Sequence, residues 1–232
     1  MLGRLPLPSL FGLAVTLAFP AMATADTGTF KARGNEPGWH VEIGQRDLVF
    51  GTQDGGSVKI SPLPEARTQD GSRIYDATAD GRPFSLTIRD ELCVDTMSGM
   101  PHPSTAVVRW GDQTYTGCGG EPRDLLLGEW QVESIEGSAV VPGSQPFLAF
   151  GTDGRLAGNA SCNRIIGNYA LTGETLTFSA LATTRMACEP ALMTQEQDVV
   201  RALGSVTGFG IDGQNNLVLL GGDTPRIVAK RR

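Results

Sequence analysis

The chain has 232 residues, of which 40 % are hydrophobic and 19 % are charged, a balance that excludes a disordered chain and indicates a globular protein. Its length has room for one large domain or two small domains, each able to bury a core. A net charge of −6, with no Lys/Arg cluster before the last three residues, excludes a nucleic-acid-binding protein of the usual basic kind.

The first 25 residues have the pattern of a secretory signal peptide. Arg4 gives a positive start, residues 9–19 are apolar, and Ala23 and Ala25 fit a cleavage site with small residues. The apolar stretch is about a dozen residues long, short of the roughly 20 that span a bilayer. Because no Cys follows this stretch, a lipid anchor is not expected. We therefore predict a periplasmic protein that does not span the membrane and is cleaved after Ala23 or Ala25.

Short strands are predicted throughout residues 28–121. In the first of them, Trp39, Val41 and Ile43 alternate with polar residues, the period of a half-buried strand with Trp39 in the core. The others are separated by Gly- and Asp-rich turns and lie at residues 48–50, 58–60, 84–88, 107–110 and 114–116. Strands at this spacing, with no helical pattern between them, indicate a small antiparallel β-barrel or sandwich domain.

A domain boundary is predicted near residues 119–122, and residues 125–232 are assigned to a second domain. Its strands are predicted at residues 130–135, 147–150, 169–171, 176–178, 208–211, 217–220 and 226–229. One helix is predicted over residues 191–203, with Pro190 in its first turn and a capping box formed by Thr194 and Gln197. The basic end, residues 230–232, is interpreted as a solvated terminus. The predicted fold class is mostly β, with two small antiparallel β-barrel- or sandwich-like domains and one packed helix in the second.

Four cysteines, Cys93, Cys118, Cys162 and Cys188, are expected to form disulfides. Three pairings are formally possible, but two cysteines precede the boundary and two follow it, with near-equal separations. We therefore predict Cys93–Cys118 and Cys162–Cys188, each stabilising its domain by roughly 3.5 kcal/mol through a closed loop of about 25 residues. A zinc site would need an unusual ligand set, because the chain has no CxxC motif and only two histidines. No metal and no cofactor is predicted.

Residues 125–232 carry several motifs in order. They are Gly128-Glu-Trp130, Phe150-x-x-Asp-Gly-Arg155, Gly158-Asn-Ala-Ser-Cys-Asn163, Gly167-Asn-Tyr169, Thr184-Arg-Met-Ala-Cys188, and Glu196 ahead of Leu203. With these motifs the segment resembles the META domain family of the HslJ-like type. The resemblance implies a small β-barrel-like fold with one packed helix, a place in the bacterial envelope and an association with heat or envelope stress. It implies no reaction, and fold analogy alone does not supply a function.

The first half carries motifs of its own. They are Gly34-Asn-Glu-Pro-Gly-Trp39, Cys93-x-Asp95-x-Met97-Ser-Gly99 and Gly117-Cys-Gly-Gly120. In these it resembles an uncharacterised exported domain that is often fused to a META domain. The chain departs from that pattern at His102-Pro103, where the resemblance leads us to expect Tyr-Pro.

One segment contains the residue types of a catalytic triad, namely Asp95, Ser98 and His102. They would form a triad only if the loop folded them against each other, and Ser98 lacks the G-x-S-x-G setting of a nucleophile. The alternative is a structural turn beside Cys93. The chain has no phosphate-binding loop and no dinucleotide fingerprint. We therefore predict that the protein is not an enzyme and has no catalytic residues.

A polar cluster on both sides of the predicted Cys162–Cys188 bridge is a candidate binding site. Its members are Asn159, Asn163, Arg164, Thr184 and Arg185. In one interpretation the asparagines satisfy backbone groups of the loops, and the arginines are solvated or pair with Glu189. In the other, the two guanidinium groups hold an anionic or polar partner through their planar sets of donors.

A second candidate site is the turn that leads into the strand of Trp39. Asn35 and Glu36 either cap backbone groups around the Cys93 loop or face a partner. The predicted function is that of a non-enzymatic exported envelope protein that binds a partner protein or small ligand and is associated with heat or envelope stress. The alternative is an inhibitor of a cell-wall hydrolase that inserts residues 97–103, or an unrecognised exported enzyme.

Overall fold

The computed structural model describes residues 29–232, which form two curled antiparallel β-sheets and one α-helix. The predicted fold class, mostly β with one helix in the second half, is confirmed. The predicted signal peptide lies outside the described residues. Along residues 29–232, no helix has the length and apolar character that crossing a membrane requires. Below, residues 29–121 are called the first half and residues 122–232 the second half.

The strands of the first half are short and follow each other closely. They are β1 (Phe30–Asn35), β2 (Gly38–Ile43), β3 (Leu48–Thr52), β4 (Ser57–Ile60), β5 (Arg67–Gln69), β6 (Ser72–Ala79), β7 (Arg82–Arg89), β8 (Cys93–Val94), β9 (Pro101–His102), β10 (Ser104–Trp110) and β11 (Gln113–Gly119). Nine of them form one antiparallel sheet in the order β4-β3-β2-β1-β11-β10-β7-β6-β5, and β8 and β9 form a separate hairpin. The sheet curls so that β4 approaches β6, which gives a half-barrel.

The core of the first half is built around Phe50. Its ring centroid lies 5.2–6.2 Å from those of Trp39, Phe84, Trp110 and Tyr115, in tilted or edge-on arrangements that stabilise beyond simple burial. The prediction that Trp39 is a core residue is confirmed, since it is buried, and Trp110 is buried as well.

The second half forms another antiparallel sheet. Its strands are β12 (Gly128–Ile135), β13 (Ser138–Ala139), β14 (Phe147–Phe150), β15 (Arg155–Asn159), β16 (Arg164–Thr172), β17 (Thr175–Thr183), β18 (Gly208–Ile211), β19 (Leu217–Gly221) and β20 (Thr224–Arg231). The strand order is β17-β16-β15-β14-β12-β20-β19-β18, with β13 added to β12. The backbone N–H of Leu176 in β17 donates to the carbonyl of Thr207 at 3.0 Å. This bond links the outer strand β17 to the residue just before β18, so the sheet curls strongly.

Helix α1 (Pro190–Gly204) connects β17 to β18 and buries Val199, Ala202 and Leu203. The predicted capping box is wrong, because the helix starts four residues before Thr194, with Pro190 as its first residue. Proline suits that position since its missing N–H would have no partner there. The Oγ1 of Thr194 instead donates to the carbonyl of Pro190 inside the helix, at 3.1 Å.

The basic end of the chain is exposed, as the sequence predicts, but it also belongs to the second sheet. Arg231 belongs to β20, and its guanidinium lies 4.4 Å from the ring centroid of Trp130, a cation–π contact. The same group donates to the carbonyls of Leu127 and Leu125 at 3.0 and 3.3 Å. The tail is therefore ordered in the second sheet, and Arg231 lies over Trp130 while remaining exposed.

The two halves meet at the β8–β9 hairpin. Met100 belongs by sequence to the first half, but it is buried in the hydrophobic core of the second half, which includes Leu126 and Trp130. The next two residues, Pro101 and His102, are also buried. The hairpin therefore contributes to both halves and fixes the surface between them.

Candidate functional site

Both predicted disulfides are present. The Sγ atoms of Cys93 and Cys118 are 1.99 Å apart, and those of Cys162 and Cys188 are 2.06 Å apart. Within residues 29–232 no cysteine is free. The first bridge links the β8–β9 hairpin to β11, and the second links the loop after β15 to the segment before α1. Structural disulfides of this kind are typical of exported proteins.

Asn163 organises the loop at the second bridge. The side chain is buried, and its Oδ1 accepts hydrogen bonds from the Oγ1 of Thr184 at 2.7 Å and from the backbone N–H of Met186 at 2.8 Å. Its Nδ2 donates to the carbonyl of Met186 at 3.2 Å. Its own backbone N–H donates to the Oε2 of Glu196 in α1 at 2.9 Å. Asn163 and Thr184 thus serve the internal bonding of the loop.

Asn159 has a similar structural role. Its Oδ1 accepts the backbone N–H of Ser161 at 2.8 Å, the local bond that asparagine commonly makes in turns. Gln195 of α1 reinforces this turn, since its Nε2 donates to the Oγ of Ser161 at 3.0 Å. For the two asparagines, the geometry therefore matches the structural interpretation.

The arginines of the cluster differ from the asparagines. Arg164 and Arg185 are exposed, and neither guanidinium has a hydrogen bond or ion pair within residues 29–232. The pairing with Glu189 that the sequence left open is not observed. Arg164 lies in β16 opposite Asn159, and Arg185 follows Thr184, whose backbone N–H donates to the Arg164 carbonyl at 3.1 Å. The two charges therefore lie on segments that run side by side.

Two large apolar side chains are exposed on the same segments. Ile166 of β16 is 62 % exposed, and strand register places the exposed Ala157 and Ala182 directly opposite it on β15 and β17. Met186, on the loop that Asn163 holds, is 55 % exposed. Sequence reasoning missed this feature because it predicted the strand only at residues 169–171. Arg164, Ile166, Arg185 and Met186 are together called the outer patch.

In the first half, Asp95 organises the loop beside Cys93. The residue is 5 % exposed, and its Oδ1 accepts hydrogen bonds from the backbone N–H groups of Met97 and Ser98 at 3.0 and 2.9 Å and from the Ser98 hydroxyl at 3.0 Å. Its Oδ2 accepts the Nδ2–H of Asn35 at 3.2 Å. Burial raises the pKa of Asp95, but these hydrogen bonds outweigh it and lower the pKa from 3.8 to about 2. Asn35 therefore braces the Cys93 loop.

Asp95, Ser98 and His102 do not form a Ser–His–Asp relay. The hydroxyl of Ser98 donates to Asp95, whereas the Nδ1 of His102 lies 3.0 Å from the carbonyl oxygen of Gly120. A relay needs the histidine between the other two side chains. Glu36, at the β1–β2 turn, is exposed. Across residues 29–232, no three His, Cys, Asp or Glu side chains are grouped so as to hold a metal ion.

The loop that Asp95 holds also presents apolar side chains. Leu92, Val94 and Met97 are exposed, and Met97 at the tip is 79 % exposed. Each half therefore carries an exposed methionine on a loop that a disulfide and one buried polar side chain hold in place.

Comparison with known proteins places the second half in a family. Residues 123–232 match the family model described as META domain. No curated protein matches the chain. Two solved structures are similar to part of it. One is described as an NMR structure of a protein, is 26 % identical and covers 47 % of this chain and 94 % of its own, with a TM-score of 0.39. The other, from Burkholderia xenovorans, is 29 % identical and covers 47 % of this chain and 87 % of its own, with a TM-score of 0.37. The family match therefore identifies residues 123–232 as a META domain.

Proposed function

We propose that the protein is a non-enzymatic, periplasmic envelope protein that binds a partner protein through the outer patch of its META domain and acts under heat or envelope stress. The observation that carries the proposal is the outer patch itself, in which two apolar side chains and two unpaired arginines are exposed on braced segments.

The bracing favours binding because it lowers the entropy lost on association. Surfaces that are already held in one conformation before binding spend less of their interaction energy on ordering. The backbone of Met186 is bonded to Asn163 at both its N–H and its carbonyl. Its side chain stays exposed, and the thioether adapts well to the shape of a partner. Contiguous exposed apolar groups are typical of interaction sites, and Ile166 lies between the exposed Ala157 and Ala182.

The charges of the patch indicate the chemistry of the partner. The chain carries a net charge of −6, yet the patch presents Arg164 and Arg185. Because neither guanidinium has a partner within the described part of the chain, a carboxylate on the bound protein would not break an existing ion pair. Complementary charge at an interface mainly gives specificity and speeds association. We therefore infer a partner surface with acidic groups beside an apolar centre.

The proposed periplasmic location and the proposed role under stress are supported by different observations. The two disulfides support an oxidising compartment such as the periplasm. The association with heat or envelope stress comes from the HslJ-like character of the motifs in the second half. Deletion of the protein is expected to reduce survival under heat or envelope-damaging drugs, and unchanged survival would count against this part of the proposal.

A photo-crosslinking experiment tests the patch directly. A photoreactive residue at position 166 is expected to join the protein to one partner in cells, and the same residue at position 177 is not. Thr177 is an exposed residue of β17 outside the patch. The crosslink from position 166 should be lost in the double variant Arg164→Ala/Arg185→Ala. It should persist in Arg89→Ala/Arg109→Ala, which removes two exposed arginines of the first half. Equal crosslinking in both double variants would remove the two arginines from the site, and equal crosslinking from positions 166 and 177 would rule out the patch.

A second candidate function, inhibition of a cell-wall hydrolase, has its own supporting observation. Met97 is exposed at the tip of a turn that Asp95 holds by hydrogen bonds, and a held, exposed tip suits insertion into an enzyme cleft. The predicted inserting segment of residues 97–103 is too long, because Met100, Pro101 and His102 are buried. Only the tip around Met97 is accessible. Assays of lysozymes with micromolar protein test this candidate, and full enzyme activity in every assay would eliminate it.

A further inference from the structure

A cleft of about 640 Å³ lies between the two halves, a volume within the usual range for small-ligand sites. Its floor is the outer face of β1 and β2, where Arg33 and His40 are cross-strand partners. One wall is β9, with His102, and another is the turn between β16 and β17, with Glu174. The chain has two histidines, and both line this cleft.

His102 has a buried nitrogen without a partner. The residue is 7 % exposed, and its Nδ1 lies 3.0 Å from the carbonyl oxygen of Gly120. Because a carbonyl can only accept, this bond assigns the hydrogen to Nδ1 and leaves a lone pair on Nε2. Nε2 is buried and makes no hydrogen bond within residues 29–232. Buried acceptors are almost always paired, so we expect a hydrogen-bond donor from outside the described residues at this nitrogen.

The cleft also presents unpaired charges of both signs. Lys31 and Glu42 form an ion pair across the floor at 3.7 Å. By contrast, Arg33, Glu121 and Glu174 make no side-chain hydrogen bond or ion pair with any other described residue. The floor of the cleft thus carries the unpaired positive charge of Arg33, and its walls carry the unpaired negative charges of Glu121 and Glu174.

We propose that this cleft binds a short zwitterionic peptide. The carboxylate of the peptide pairs with Arg33, and its ammonium group pairs with Glu174. Because the Nε2 of His102 is buried, the imidazole ring turns toward the cleft to accept one N–H group of the peptide. A peptide fits because it carries both charges at its ends and N–H donors along its length. Met100 and Leu171 also line the cleft and provide apolar contact for its side chains.

Trialanine with free ends is the probe that tests this site. Calorimetry or NMR titration of the whole protein is expected to show saturable binding in the millimolar range or tighter. Trialanine amide lacks the carboxylate and N-acetyl trialanine lacks the ammonium group, so each should bind at least about fivefold more weakly, as expected for a lost charge pair.

Two variants assign the ends of the peptide. Arg33→Gln should weaken binding of free trialanine but leave the already weak binding of trialanine amide unchanged. Glu174→Gln should do the same for the free and the N-acetyl peptide. Arg109→Gln, an exposed arginine away from the cleft, should bind like the wild type. The ¹⁵N signal of the His102 Nε2 should shift on saturation, since that nitrogen gains a hydrogen bond.

Three results would overturn the proposal. The first is the absence of saturation with trialanine at about 20 mM, a concentration well above the dissociation constant of a specific weak site. The second is equal binding of free and capped peptides. The third is normal binding of trialanine by both cleft variants. An unshifted His102 signal at saturation would remove the histidine from the site.

Discussion

Asn163 bonds both backbone groups of Met186, accepting its N–H at 2.8 Å and donating to its carbonyl at 3.2 Å. A single buried side-chain amide thus makes the pair of backbone hydrogen bonds that a neighbouring strand would make. It holds in place the loop on which the Met186 side chain is exposed. Asp95 has a similar structural role in the first half, where it accepts a hydrogen bond from the backbone N–H of Met97 at 3.0 Å. In both halves the polar residues that look like ligands in the sequence are the supports of the loops, and the exposed residues beside them are apolar.

Replacing Asn163 with Ala is expected to lower the free energy of unfolding by about 2 kcal/mol, because the substitution removes the hydrogen bonds from the Thr184 hydroxyl and to both backbone groups of Met186. The measurement is urea unfolding of the disulfide-intact protein, combined with hydrogen exchange at the amide of Met186. That amide should exchange much faster in the variant than in the wild type.

Asn159→Ala provides the matched control for this prediction. It removes one local hydrogen bond, to Ser161, so its cost should stay below about 1 kcal/mol. Equal destabilisation by the two variants would contradict the central role of Asn163.

The depressed pKa of Asp95 predicts a pH dependence of stability. A carboxyl whose pKa is about 2 in the folded protein and 3.8 when unfolded contributes stability that is fully present above pH 4. That contribution is lost as the pH falls from about 4 to about 2, since the unfolded chain takes up the proton first. The loss amounts to roughly 2 kcal/mol.

Asp95→Asn isolates this contribution. The variant cannot titrate at this position, so the stability difference between wild type and variant should shrink by roughly 2 kcal/mol between pH 5 and pH 2. Guanidinium unfolding at the two pH values measures it. A difference that does not change with pH would mean that Asp95 has an ordinary pKa in the folded protein.

The alternation of Trp39, Val41 and Ile43 allowed β2 and its buried face to be predicted, because a half-buried strand leaves that pattern. The pairing of cysteines followed from their positions around the boundary. By contrast, β15 was not predicted. Its sequence, RLAGN, has little of the β-branched and aromatic content that marks a strand, and it is ordered by pairing with β14 and β16.

The candidate site was predictable only in part. The sequence shows that Arg164 and Arg185 lie near the second bridge, but exposure depends on which way a side chain faces. Ile166 has the composition of a core residue and lies next to the fully buried Ile165. Only the strand register tells them apart. A contact of Asn35 with the Cys93 loop was one of two alternatives, and the sequence could not choose between them because its partner Asp95 is 60 residues away in the chain.

Removing the Cys162–Cys188 disulfide tests how much this bridge contributes to holding the loop that contains Met186. Cys162→Ser/Cys188→Ser is expected to destabilise the protein by about 3.5 kcal/mol, from the loss of a closed loop of 26 residues. Hydrogen exchange should increase most at Met186. Calorimetry measures the total effect, and a loss below about 1 kcal/mol would show that the bonds of Asn163 hold the loop without the bridge.

The glycine that begins the Gly158-Asn-Ala-Ser-Cys-Asn163 motif is required by strand packing. A Cβ on Gly158 would overlap the backbone carbonyl of Phe147 on the paired strand β14. Backbone in a sheet cannot move aside as a flexible side chain can. Gly158→Ala is therefore expected to destabilise the protein by about 2–3 kcal/mol, as overpacking typically does.

Gly210→Ala in β18 is the control, because a Cβ there meets nothing within 4 Å, and its effect should remain within about 1 kcal/mol. Thermal unfolding of both variants measures the difference, and a Gly158→Ala protein as stable as Gly210→Ala would show that β14 and β15 can separate without cost.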